Sequence, residues 1–184
     1  MAYGNSFHKA AEKYLRDGVP LPIRFQFVQK ALDSLGRVKG KKLFEYKMGL
    51  TNELSPCGFN SSNVWYRGIA DLVIIQSNVA KVLDYKTSKS TRYADKKQLE
   101  LMALCIFRYF PEVEIVDGAL LFVKLNSIVT QRYSIKQANT LWNNWFGRHH
   151  KMKVAFKHDV WNANPSGLCR NHCAVLECPH NGRN

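Results

Sequence analysis

The sequence predicts an α/β domain with a central mixed sheet flanked by helices, followed by a metal-held C-terminal tail. Three observations carry this. Segments of helical period alternate with β-branched runs along most of the chain. The runs Asp71-Leu72-Val73-Ile74-Ile75 and Val79 to Tyr85 are joined by the tight turn Ser77-Asn78, which makes them a hairpin. Three of the five cysteines, Cys169, Cys173 and Cys178, crowd into the last sixteen residues.

The elements follow in order. Asn5-Ser6 opens a first helix with Phe7, Ala11, Tyr14 and Leu15 as its apolar stripe, and Gly18 and Pro20 stop it. A second helix is expected from about Ile23 to Leu35, ended by Gly36. Leu43 to Leu50 alternates as a strand. Residues 52–63 hold Pro, Gly, Asn and Ser and read as a loop. Val64 to Gln76 and Val79 to Tyr85 are the hairpin strands. Asp95 to Phe110 has helical period, with Leu99, Met102 and Ile106 apolar, and Pro111 closes it. Val116 to Leu125 and Ile128 to Ile135 are two more strands. A last helix spans about Lys136 to Phe156. The expected division is residues 1–160 for the domain and 161–184 for the tail.

Charge narrows the partner. The 184 residues carry 27 Lys+Arg against 14 Asp+Glu, a formal charge of +13. Such an excess suggests a polyanion, with nucleic acid first. Basic residues recur among aromatics at Arg37, Lys39, Lys41, Lys42, Phe44, Tyr46 and Lys47, and again at Lys86, Lys89, Arg92, Tyr93, Lys96 and Lys97. No run of about 18 uncharged apolar residues exists, so no membrane-spanning helix is expected. The amphipathic opening lacks an apolar signal-peptide core, and a cytoplasmic location is expected. In that setting crowded cysteines read as metal ligands rather than as disulfides.

The most informative stretch is Asp71 followed by Asp84-Tyr85-Lys86. Asp71 is early in one hairpin strand and Asp84 late in the next, so antiparallel pairing brings them together. Asp84 and Lys86 share a face. Two carboxylates and an ammonium at one strand end suit phosphodiester hydrolysis. The carboxylates would hold Mg²⁺ or Mn²⁺, and the lysine would orient the attacking water. The tail places Cys169, Cys173, Cys178 and His180 within twelve residues. That donor set suits a closed tetrahedral Zn²⁺ site. Cys105, on an apolar helix face, reads as core. Gly-rich phosphate loops, G-x-S-x-G elbows and H-E-x-x-H motifs are absent from the sequence.

Asp71 with Asp84-Tyr85-Lys86 resembles the PD-(D/E)xK nuclease signature, and the context resembles its RecB-like branch, which includes stand-alone phage nucleases. Gly4-x-x-x-His8-x-x-x-Glu12 is similar to the branch's N-terminal helix motif. Glu45 falls in a strand where these proteins often carry a glutamate. Gln98-Leu99-x-Leu101 resembles the Gln-containing helix after the lysine. The resemblance implies a restriction-endonuclease-like core and a metal-dependent DNA nuclease, an exonuclease or a structure-specific endonuclease. It implies a host-cell cytoplasmic setting if phage-encoded, and replication or recombination proteins as partners. It implies His8, Asp71, Asp84 and the Tyr85 backbone carbonyl as ligands of the catalytic ion, and Lys86 and Gln98 beside them. The branch usually has Tyr four residues after that Gln, where this chain has Met102. RecB-like nucleases often hold an iron–sulfur cluster on one N-terminal and three C-terminal cysteines. No cysteine precedes His8, so a 4Fe-4S cluster would need Cys57, and it stands as the alternative to zinc. A zinc-containing DNA-binding module without catalysis is the non-enzyme alternative.

Overall fold

The computed structural model describes residues 2–92 and 94–182. Tyr93, grouped above with a basic–aromatic run, lies outside them. Helix α1 (Ala2–Asp17) is followed by a 3-10 turn (Ile23–Val28) and α2 (Gln29–Arg37). Strands β1 (Lys41–Leu50), β2 (Pro56–Cys57), β3 (Tyr66–Gln76) and β4 (Val79–Lys86) come next. They are followed by α3 (Lys96–Tyr109), β5 (Ile115–Phe122), β6 (Ser127–Ser134), α4 (Ala138–His158) and α5 (Gly167–Asn171).

Several expected boundaries move. The first helix begins at Ala2 rather than at Asn5. The expected second helix is half 3-10, because Pro22 precedes it and Phe25 N–H bonds to the Pro22 carbonyl at 2.8 Å. The expected loop over 52–63 contains β2, which pairs with the end of β1. The strand from Val116 stops at Phe122, and Asn126 turns the chain at φ 46° into β6.

Among the described residues six strands form one sheet in the order β2-β1-β3-β4-β5-β6. Neighbours are antiparallel except β4 and β5, which are parallel. The α3 crossover between them makes that possible, since a parallel pair needs a long connection. Side chains alternate across the sheet. On one face Leu72, Ile74, Leu83 and Ala119 meet Leu15 and Leu35 of α1 and α2. Phe7, Ala11, Phe25 and Leu32 extend this core onto Tyr85 and Leu121. α3 covers the opposite face, with Leu99, Leu104 and Ile106 fully buried. Its close approach depends on Gly118 of β5: a β-carbon there would lie 3.1 Å from the Leu99 β-carbon.

Two compact units are present, residues 1–142 and 143–184. The division falls inside α4 rather than at residue 160. Ala138 and Trp142 are its buried residues, and both belong to the sheet unit. Among the described residues no helix is long and apolar enough to cross a membrane.

The Gly118 contact yields a prediction. Gly118→Val should destabilise the protein by about 1–3 kcal/mol, because the helix backbone behind the Leu99 β-carbon cannot rotate aside. Urea unfolding measures this; an unchanged midpoint would mean that α3 is not seated on Gly118.

Candidate metal centre

The candidate site lies where β3 and β4 part. Their pairing ends at Leu72↔Leu83, whereas β4 stays paired with β5 as far as Lys86↔Phe122. The next rung would hold Asp71 and Asp84, so the register sets the two residues at the same end of the hairpin, where the strands part. Instead of a ladder bond, the Asp71 Oδ2 accepts from the Tyr85 backbone N–H at 2.6 Å. On the other side of β3, the rungs Phe44↔Leu72 and Tyr46↔Ala70 flank Glu45 and Asp71, which sets these two opposite each other. Glu45 has φ 46°, a left-handed conformation inside a strand. Such strain concentrates at functional sites.

α1 delivers the third group. Phe7 and Ala11 are fully buried, and Phe7 meets Tyr85 edge-on at 5.6 Å. That seating places His8 over the parted strands. His8 Nδ1 lies 2.9 Å from Asp71 Oδ1, and Nε2 lies 3.1 Å from the Tyr85 carbonyl. One ligand atom each from His8, Glu45 and Asp71 comes within 4.8 Å of the others. Two of these were expected as ligands. Glu45 was marked only as a strand glutamate; pairing 41–50 against 66–75 in the right register would have put it opposite Asp71.

Asp84 forms a second cluster with Lys86 and Gln98. The Gln98 amide donates to Asp84 Oδ1 at 2.6 Å, and the Lys86 ammonium donates to Gln98 Oε1 at 2.7 Å. Lys86 Nζ also lies 2.7 Å from Asp84 Oδ2. That contact lacks hydrogen-bond geometry, so this buried oxygen is charge-paired but not hydrogen-bonded among the described residues. Asp84 thus stands outside the His8 group, its carboxylate drawn to the nearest ammonium. Gln98 is in the first turn of α3, which Asp95 caps by accepting from Lys97 N–H at 2.9 Å. Met102, in place of the usual Tyr, is core. Glu12 pairs with Arg16 rather than with the site.

Burial and close pairing set the electrostatics of the cluster. The hydrogen bond to Asp71 raises the His8 pKa, against burial, which lowers it. Burial raises the Glu45 carboxyl, and the Asp71 charge adds to the rise. Burial also raises Asp84, with Lys86 opposing. All three groups therefore hold protons more readily than in water, His8 through its carboxylate partner and Glu45 and Asp84 chiefly through burial. The donor set, carboxylates with one imidazole, suits a hard or borderline divalent ion.

The tail carries the expected donors on an irregular segment. Cys169, Cys173 and Cys178 are half-buried and His180 is exposed. Among the described residues these four do not form a close group like that of His8, Glu45 and Asp71. Cys169 Sγ instead accepts from Ser166 N–H at 3.4 Å, capping α5. The tail closes around Asn181, which is 4% exposed and donates to the Val175 carbonyl at 2.7 Å. Sequence reading passed over Asn181, since an Asn near a chain end carries no pattern. Cys105 is buried, as expected.

No family model and no curated protein matches the chain. A solved structure described as "Crystal structure of SSO0001" is similar at 14% identity and a TM-score of 0.41, over 98% of this chain and 80% of that one. A likeness of that size carries no argument about fold or function.

The raised pKa values set a pH dependence. The His8 contribution to metal-free stability is complete below its ordinary 6.5 and is lost as pH rises through the raised value. Glu45 and Asp84 act in the same direction from their ordinary 4.5 and 3.8 upward. In EDTA, the Tm advantage of the wild type over His8→Ala should therefore shrink as pH rises above the ordinary 6.5. Mn²⁺ should raise the wild-type Tm more at higher pH, since ion binding displaces protons. A difference constant with pH would remove His8 from this linkage.

Proposed function

We propose that this chain is a metal-dependent DNA nuclease of the PD-(D/E)xK type, RecB-like, acting as an exonuclease. The observation that carries the reading is the convergence of His8, Glu45 and Asp71 beside the Asp84–Lys86–Gln98 cluster at the parting of β3 and β4. The +13 charge supports a polyanionic substrate.

His8, Asp71, Asp84 and the Tyr85 carbonyl would hold the ion, with Glu45 added to that set. Mg²⁺ or Mn²⁺ supplies Lewis-acid polarisation of the scissile phosphate. Lys86 brings a positive charge to the reacting centre, where it orients the attacking water and stabilises charge on the phosphate oxygens. Gln98 holds Lys86 and Asp84 in register through its two amide atoms. Lys86 also lines a cavity of about 230 Å³ with Ser88, Lys89 and Ser90, donors that suit a phosphate oxygen. Lys47 and Arg67 flank the Phe59 ring on the adjoining strands and add exposed cations for the DNA backbone.

In this reading the tail is structural. Its thiol and imidazole donors are those of a zinc site, with an iron–sulfur cluster as the alternative.

Asp84→Ala and Lys86→Ala should each lower Mg²⁺-dependent cleavage of linear DNA by about 100-fold or more, with an unchanged circular dichroism spectrum. Full activity in either variant defeats the assignment. EDTA should abolish cleavage, and circular DNA should survive if the action is exonucleolytic.

Elemental analysis tests the tail. About one zinc per colourless chain is expected, lost in Cys173→Ser together with thermal stability. Brown protein containing iron and sulfide would mean a cluster; neither metal would leave the tail held by its hydrogen bonds.

A further inference from the structure

α4 and the residues after it carry a surface that the proposed cleavage site does not use. The helix contains no acidic residue. Its second half carries Arg148, Lys151, Lys153 and Lys157, all exposed, with Met152, Val154 and Phe156 exposed between them. Phe156 is 78% exposed and Trp161 59%. Rings of this size are ordinarily far more covered.

The chain is built to present them. Asp159 adopts φ 51°, Asp159 N–H bonds to the Phe156 carbonyl at 3.4 Å, and Val160 N–H bonds to the Ala155 carbonyl at 3.0 Å. This is the paired bonding of a Schellman cap, which turns the chain back beside the last helical turn. The Trp161 indole N–H then donates to Asp159 Oδ1 at 3.1 Å, which restrains the ring. Lys153, Phe156, Lys157 and Trp161 are among the residues lining a concavity of about 670 Å³.

The occupant must be anionic and must offer flat faces to the rings. A membrane surface calls for cations and apolar groups on opposite faces of the helix. Here they are interleaved: at 100° per residue, Lys151 and Lys157 lie between apolar neighbours rather than across the helix from them. Duplex DNA offers phosphates but keeps its base faces stacked. A single strand offers both, and ring–base stacking with backbone cations is how single strands are held. We propose that residues 148–161 form a binding platform for single-stranded DNA. The proposal rests on the reading that DNA is the substrate, and it specifies the strand form.

The test uses the full chain in EDTA, so that binding is separated from cleavage. The probe is a fluorescein-labelled oligothymidine of about 20 nucleotides, read by anisotropy. Phe156→Ala and Trp161→Ala should each weaken binding about tenfold. Phe156→Leu should be as weak as Phe156→Ala, because the ring and not its apolarity is required. The double variant Lys153→Gln/Lys157→Gln should flatten the slope of log K against log salt by about 1.4. The substituted side chains, Lys153, Phe156, Lys157 and Trp161, are all exposed, and circular dichroism verifies that the variants fold. Oligothymidine affinity unchanged in both ring variants would overturn the proposal. So would a ring dependence seen with a duplex or with anionic vesicles instead. If the wild type cleaves DNA but binds without ring dependence, the platform alone falls. Ring-dependent binding by a wild type that cleaves nothing would leave the platform standing and remove the nuclease reading.

Discussion

Past Leu72↔Leu83 the β3–β4 ladder stops, and Tyr85 of β4 no longer has a backbone partner on its β3 side. Buried backbone groups must be satisfied. Both groups of Tyr85 are satisfied by side chains of the candidate site: its N–H by the Asp71 carboxylate and its carbonyl by His8. The same two side chains would hold the proposed ion. The backbone requirement and the metal site are thus one arrangement. A substitution at Asp71 would leave a buried N–H without its acceptor as well as remove a proposed ligand, so in the proposed reading activity and stability are coupled there. Asp84 and Lys86 carry no such backbone duty, which makes them the cleaner probes of chemistry.

The two helical layers position the site by ordinary packing. On one face, Phe7 locks against Phe25 and Tyr85 edge-on, and His8 follows as the next residue. On the other, Leu99 seats α3 against Gly118, and Gln98 is its neighbour. In each case a buried apolar residue adjoins a polar one that reaches the parted strands. A β-carbon on Gly118 would press on the Leu99 β-carbon, so the seating of α3, and with it Gln98, depends on the missing side chain.

The residues around residue 150 follow another logic. In the sheet unit Phe7, Phe25 and Tyr85 are covered, whereas Phe27 is 57% exposed. Past Trp142 the chain exposes Phe156 and Trp161 among cations and caps the helix so as to keep Trp161 beside it. Exposed rings that gain nothing from folding call for a ligand that covers them.

The sequence by itself determined the α/β class, the hairpin, and the placing of Asp71 and Asp84 at one end of it. Strand period and a two-residue turn leave little freedom in register, so residue spacing alone carried that far. The division of the site into two clusters was not legible. It depends on where the β3–β4 ladder stops and on which counter-charge each carboxylate finds, and both are decided by contacts distant in sequence: His8 lies 63 residues from Asp71. Glu45 was hidden because its place depends on the β1–β3 register, set across an irregular loop whose length carries no signal. In the tail, the cysteine spacing named the donors but not their geometry, since a short irregular segment has no period to fix where its side chains point. The closing role of Asn181 came from burial and two backbone carbonyls, which only the folded chain brings within reach of one amide.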